Sequence, residues 1–141
     1  TVLAIADGFE YAVLIQARVK RAISLLLRQE GKTKKSGTLM LFAAGLYFLL
    51  KAHASRLSEV VIDWEYLGRD AEVRGYLLYL FQHNQRQFPK ENITFGQIGK
   101  HARAHHLALA VYRGDRLADK VVSLEELIVA MGIAQRRRKG K

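Results

Sequence analysis

Short apolar runs alternate with longer amphipathic stretches along most of this chain, and glycines sit at many of the junctions. Strands that alternate with helices are joined by crossovers, which set successive strands parallel and lay helices on the sheet. The pattern predicts strands over 1–6, 38–44, 60–66, 93–98 and 120–122, the first also readable as the frayed start of a helix. It predicts helices over 9–29, 46–57, 69–83 and 101–112. A last helix is predicted to run to Met131, opened by the capping box Ser123-Leu-Glu-Glu126 and stopped at Gly132. In 9–29 the residues Ala12, Ile15, Val19, Ala22, Ile23 and Leu26 recur at helical spacing, with Gly31 as the stop. The expected fold is α/β: three layers, a mainly parallel sheet of about four to five strands, and helices on both faces. One domain is expected over 1–134, followed by a basic, disordered tail over 135–141.

Charge narrows the partners. The chain has 141 residues, 23 Lys and Arg against 13 Asp and Glu, and a net charge of +10. A surplus of that size is the electrostatic footprint of a polyanion-binding protein, and DNA or RNA is the expected partner. The chain has no cysteine, which excludes disulfides, thiolate zinc sites and cysteine nucleophiles within it. No basic region precedes the first apolar run, and the longest apolar stretch, 39–50, is too short to span a bilayer. The expectation is a cytoplasmic protein without membrane contact.

Against this basic background the stretch Ser58-Glu-Val-Val-Ile-Asp-Trp-Glu-Tyr-Leu-Gly68 stands out. On a strand, Val61, Asp63 and Glu65 share one face, while Val60, Ile62, Trp64 and Tyr66 share the other. Two carboxylates side by side repel each other, and a bound cation offsets that repulsion. In a parallel sheet ligands gather beyond the carboxyl ends of the strands, where Asp63 and Glu65 fall, and Asp7 ends the first predicted strand. Asp63, Glu65 and Asp7 are therefore candidate ligands for Mg²⁺ or Mn²⁺, ions that favour oxygen donors. Such an ion activates water and stabilises the charge of phosphodiester cleavage. The bland alternative is an ion-pair network in which Asp63 and Glu65 meet Arg69, Lys100 or another cation.

The segment Asp63-x-Glu65-x-x-Gly68 resembles the acidic strand of the Toprim family of topoisomerases, primases and nucleases, whose signature is Asp-x-Asp-x-x-Gly followed by a helix. Val73-Arg74 on the next helix is similar to that family's Ile-Arg, two residues further along than usual. The resemblance implies that Asp63 and Glu65 are metal ligands. A Toprim domain also carries a glutamate after an earlier strand, and 38–45 has none. The same segment more loosely resembles the ribonuclease H-like metal-dependent nucleases, whose sheets open with an antiparallel meander that the predicted strand order lacks.

A second constellation is Gly99-Lys-His-Ala-Arg-Ala-His-His106, placed to open a helix after a strand. Backbone N–H groups at such a position meet phosphate, with Lys100 and Arg103 beside them. His101 is a candidate general acid or base. His101 and His105 share a helix face at zinc-binding spacing, but without the glutamate of the metalloprotease motif. Lys32, Lys34 and Lys35, in a predicted loop between Gly31 and Gly37, and Arg136, Arg137 and Arg138 in the tail complete the candidate phosphate contacts. Three readings remain open. The first is a nucleic-acid-processing enzyme that cleaves phosphodiesters with a divalent metal. The second is a non-catalytic nucleic-acid-binding module. The third is a protein-interaction or assembly domain, with a protein partner or a second copy of the chain.

Overall fold

The computed structural model describes residues 1–6, 8–57, 59–63, 65–99 and 102–134. The candidate residues Asp7, Lys100, His101 and Arg136 to Arg138 lie outside them, as does Trp64. The chain is α/β. Its described residues form β1 (Val2–Ala6), β2 (Glu10–Leu14), α1 (Ala17–Gln29), α2 (Lys34–Lys51), β3 (Val60–Asp63), α3 (Asp70–His83), β4 (Ile93–Gly96), α4 (Arg103–Tyr112), β5 (Lys120–Val121) and α5 (Leu124–Met131). The expected single, mainly parallel sheet is replaced by two small ones. One is mixed, in the order β1-β2-β5, and the other is the parallel pair β3-β4.

Two local misreadings account for that difference. The stretch 9–29 is a strand and then a helix. β1 and β2 form an antiparallel hairpin whose last pair is Ala6 with Glu10, and Gly8 in its loop has φ +69°. That left-handed conformation is one a glycine adopts without steric cost. Val13 and Ile15 enter the main core, while Ala12 joins a second cluster with Leu107 and Val111 on the opposite face. A strand covered on both faces shows no alternation, and its apolar residues also fit a helical period.

The second misreading is 38–44, expected as a buried strand ended by Gly45, with a helix over 46–57. Instead α2 runs unbroken through both to Lys51. It begins where Thr33 caps it, the hydroxyl accepting from Ser36 N–H at 3.1 Å. Lys34 and Lys35 therefore stand on its first turn rather than in a loop. From Ala43 to Leu50 every residue of α2 is buried. A helix apolar all round carries no 3.6-residue signal. Gly45 does not break it: a Cβ there would lie 2.8 Å from Leu3 Cδ1, so the missing side chain lets α2 approach β1.

Much of the rest follows the sequence, but the strand expected over 60–66 ends at Asp63, where the chain turns, so Glu65 lies beyond it rather than on the strand face of Val61 and Asp63. β3 alternates as expected, Val60 and Ile62 buried, Val61 and Asp63 exposed. α3 buries Val73, Leu77, Leu80 and Phe81 and packs extensively on α2. Ser123 and Glu126 form the capping box of α5, and Gly132 ends it at φ +67°. No described helix is long and apolar enough to cross a membrane.

One buried polar group in this frame has a measurable consequence. His53, after α2, is 8% exposed and packs between the rings of Phe9 and Tyr11 at 4.6 and 4.5 Å. Its Nδ1 lies 2.8 Å from an Arg56 guanidinium nitrogen, and its Nε2 has no partner among the described residues. Burial first, and then the Arg56 charge, hold its pKa below the ordinary 6.5, against a smaller opposing pull from Asp119. A depressed histidine pKa contributes stability that is full above the unfolded value. That contribution is lost as pH falls below 6.5 towards the folded value, because the unfolded chain then binds the extra proton. His53→Phe should therefore gain stability relative to the parent as pH drops from above to below that value. Urea midpoints at the two pH values check it, and parallel curves would show that His53 titrates normally.

Candidate functional site

Asp63 is the last residue of β3, opposite Gly96 at the end of β4, so it stands at the carboxyl end of the parallel pair. Its carboxylate is fixed on one side, where Oδ1 accepts the Ile98 N–H at 3.2 Å. The chain then turns tightly, with Glu65 N–H donating to the Asp63 carbonyl at 2.8 Å. Tyr66 anchors that turn: its ring meets Phe42 of α2 edge-on at 5.3 Å, and burial, then the Glu65 charge, raise its phenol pKa. Tyr66 is thus a packing residue. Both Asp63 and Glu65 remain exposed.

The two carboxylates border a slot of about 310 Å³. It is touched by four consecutive residues of β1, Val2 to Ile5, and by four of β3, Val60 to Asp63. Consecutive strand residues point to opposite faces, so a cavity that meets all four meets the strand's edge. β1 pairs only with β2 and β3 only with β4 among the described residues, leaving both these edges free. The slot therefore separates the two sheets edge to edge. α2 closes one side with Phe42, Leu46, Leu49 and Leu50, and α4 the other with Ala104, His105 and Ala108.

His105 thereby reaches the same slot as Asp63 and Glu65. In the sequence His105 is one of the basic residues at the start of this helix and stands at zinc-binding spacing from His101. Its spacing before Ala108 already put both on one helix face, which was the available signal.

Two contacts tie the neighbouring elements to this place. Ile98 holds Asp63, as above, and Gly99 lines the slot. Arg103 Nη2 donates to Glu10 Oε1 at 2.9 Å, joining the start of α4 to the end of the hairpin, where Ala6 pairs with Glu10. Arg103 was expected at phosphate. Its side chain is 74% exposed, and an ion pair so open to solvent contributes little and is readily exchanged.

Of the expected neutralising cations, Arg69 pairs with Glu72 at 2.6 Å instead. Asp63 and Glu65 make no ion pair with any described residue. Among the described residues no three acidic or histidine side chains converge as metal ligands, and Asp7 and His101 fall outside that set. Lys32, Lys34 and Lys35 are exposed at the junction of α1 and α2, on elements that do not line the slot. Comparisons with protein-family models, curated proteins and solved structures find no match to this chain.

Proposed function

We propose that this chain processes nucleic acid, cleaving phosphodiesters with a divalent ion held at Asp63 and Glu65. The observation that carries the reading is the pair's setting. Two exposed carboxylates, without a described cation to offset them, sit at the carboxyl end of a parallel strand pair in a protein of charge +10. Mg²⁺ or Mn²⁺ is the group such oxygen donors favour, and when bound it supplies an activated water and charge stabilisation. In this reading Asp7 adds a third carboxylate. His101 and His105 supply a proton-transferring group on α4 or just before it, and Lys100 and Arg103 hold the phosphate.

A second reading rests on the Ile98–Asp63 hydrogen bond. A carboxylate that closes the 97–99 loop onto β3 has a structural role, as in a non-catalytic nucleic-acid-binding module. Divalent ions separate the two. Turnover of labelled single- and double-stranded DNA and RNA is expected with Mg²⁺ or Mn²⁺ and not in EDTA. Oligonucleotide binding with no divalent-dependent turnover on any of them would leave the binding module.

A further inference from the structure

We infer that the exposed face of α1, continued by the first turn of α2, is a docking surface for the phosphate backbone of a nucleic acid. The inference rests on the nucleic-acid reading above but not on its catalytic part. α1 buries Val19, Ile23 and Leu27 and turns Arg18, Arg21, Leu25 and Arg28 to solvent. The spacings of three, four and three residues set those four side chains on one helix face. No acidic residue lies anywhere in α1. The arginines span ten residues, about 15 Å of helix. Measured along a duplex axis, that length passes about four phosphates of each strand, at about 3.4 Å of axial rise per phosphate.

The positive surface does not stop at the helix. Lys32, Lys34 and Lys35 follow, all exposed, and none of these six cations is in an ion pair with a described residue. Lys34 and Lys35 occupy the first turn of α2, which carries no acid. Cations at that end oppose the helix dipole, so side chains and backbone present the same sign and an anion relieves both. The acid at this corner, Glu30, is engaged: its Oε1 accepts the Ala134 N–H at 3.0 Å.

Charge complementarity selects the occupant. A helix that lies on an anionic bilayer inserts an apolar face into it. The apolar face of α1 is already spent on the core, and Leu25 is the one large apolar side chain among the exposed cations. A polyanion held by separate guanidinium groups needs no such face.

The test is binding alone, in EDTA, of labelled duplex DNA and single-stranded DNA and RNA to the full chain between about 50 and 200 mM salt. Neutralising Arg18, Arg21 and Arg28 to Gln should flatten the log–log salt dependence on duplex DNA by about 2 to 3, at about 0.9 per lost phosphate contact. Ser24→Arg, which adds a cation between them, should steepen it by about 1. Circular dichroism and the urea midpoint establish that each variant is folded. An unchanged slope in the folded triple variant overturns this inference and leaves the cleavage reading standing. So does binding of phosphatidylserine vesicles that falls in the triple variant while nucleic-acid binding does not. A parent chain that binds no nucleic acid overturns both.

Discussion

Asp63→Asn should lower divalent-dependent cleavage by at least about 10²-fold, because even the outer partners of a metal ligand are typically worth 10–100-fold. The substitution is chosen for what it keeps. Asn retains an Oδ1 acceptor for the Ile98 N–H, so the 97–99 loop stays closed onto β3. The side chain is exposed, and stability should stay within about 0.5 kcal/mol of the parent. What is removed is the negative charge, on which a hard cation depends and a hydrogen bond does not. Affinity for an oligonucleotide in EDTA should be equal or slightly tighter, since one like charge facing a polyanion is gone. Cleavage rate against Mn²⁺ concentration, with anisotropy for binding, separates these effects. If Asp63→Asn cleaves at the parental rate, Asp63 is a loop-closing residue and the metal assignment to it fails. Glu65→Gln is the companion: its side chain makes no hydrogen bond with a described residue, so a loss there reports charge alone.

How much of this was legible in the sequence depends on which elements carry a one-sided pattern. β3 and α3 each bury one face, so the period of Val60 and Ile62, and that of Val73, Leu77, Leu80 and Phe81, could be read directly. Ser123, Glu126 and Gly132 marked α5 because caps are local chemistry. The middle of β2 and the second half of α2, Ala43 to Leu50, are enclosed by other parts of the chain, and for them hydrophobicity is uniform and uninformative. Gly45 misled for a related reason. A glycine read as a break serves the approach of α2 to Leu3, a contact between residues 42 apart that no local pattern encodes. The site divides along the same line. Asp63 and Glu65 were visible as acids on a strand end, while the approach of His105 to them depends on how α4 packs against β1.

Phe81→Ala tests the part of the architecture that the sequence misread. Phe81 is 1% exposed on α3, with its ring 5.1 Å from Tyr47 of α2 and 5.6 Å from Phe88. Truncating a fully buried phenylalanine costs about 3–5 kcal/mol, the transfer term plus the cavity left behind. Against a typical total of about 5–15 kcal/mol the variant should unfold at a much lower urea concentration. Phe81→Leu fills most of the space and should cost under about 1.5 kcal/mol. The sharper measurement is a double-mutant cycle of Phe81→Leu with Tyr47→Leu. Edge-on aromatic pairs contribute about 0.5–1.5 kcal/mol beyond the area they bury, and only residues in contact show such coupling. With α2 continuous from Lys34 to Lys51, Tyr47 lies among the buried residues of its second half and faces α3. A strand over 38–44 followed by a separate helix would give the Tyr47 ring a different direction. A coupling energy of zero would therefore count against the unbroken α2, and with it against the wall of the slot formed by Phe42, Leu46 and Leu49.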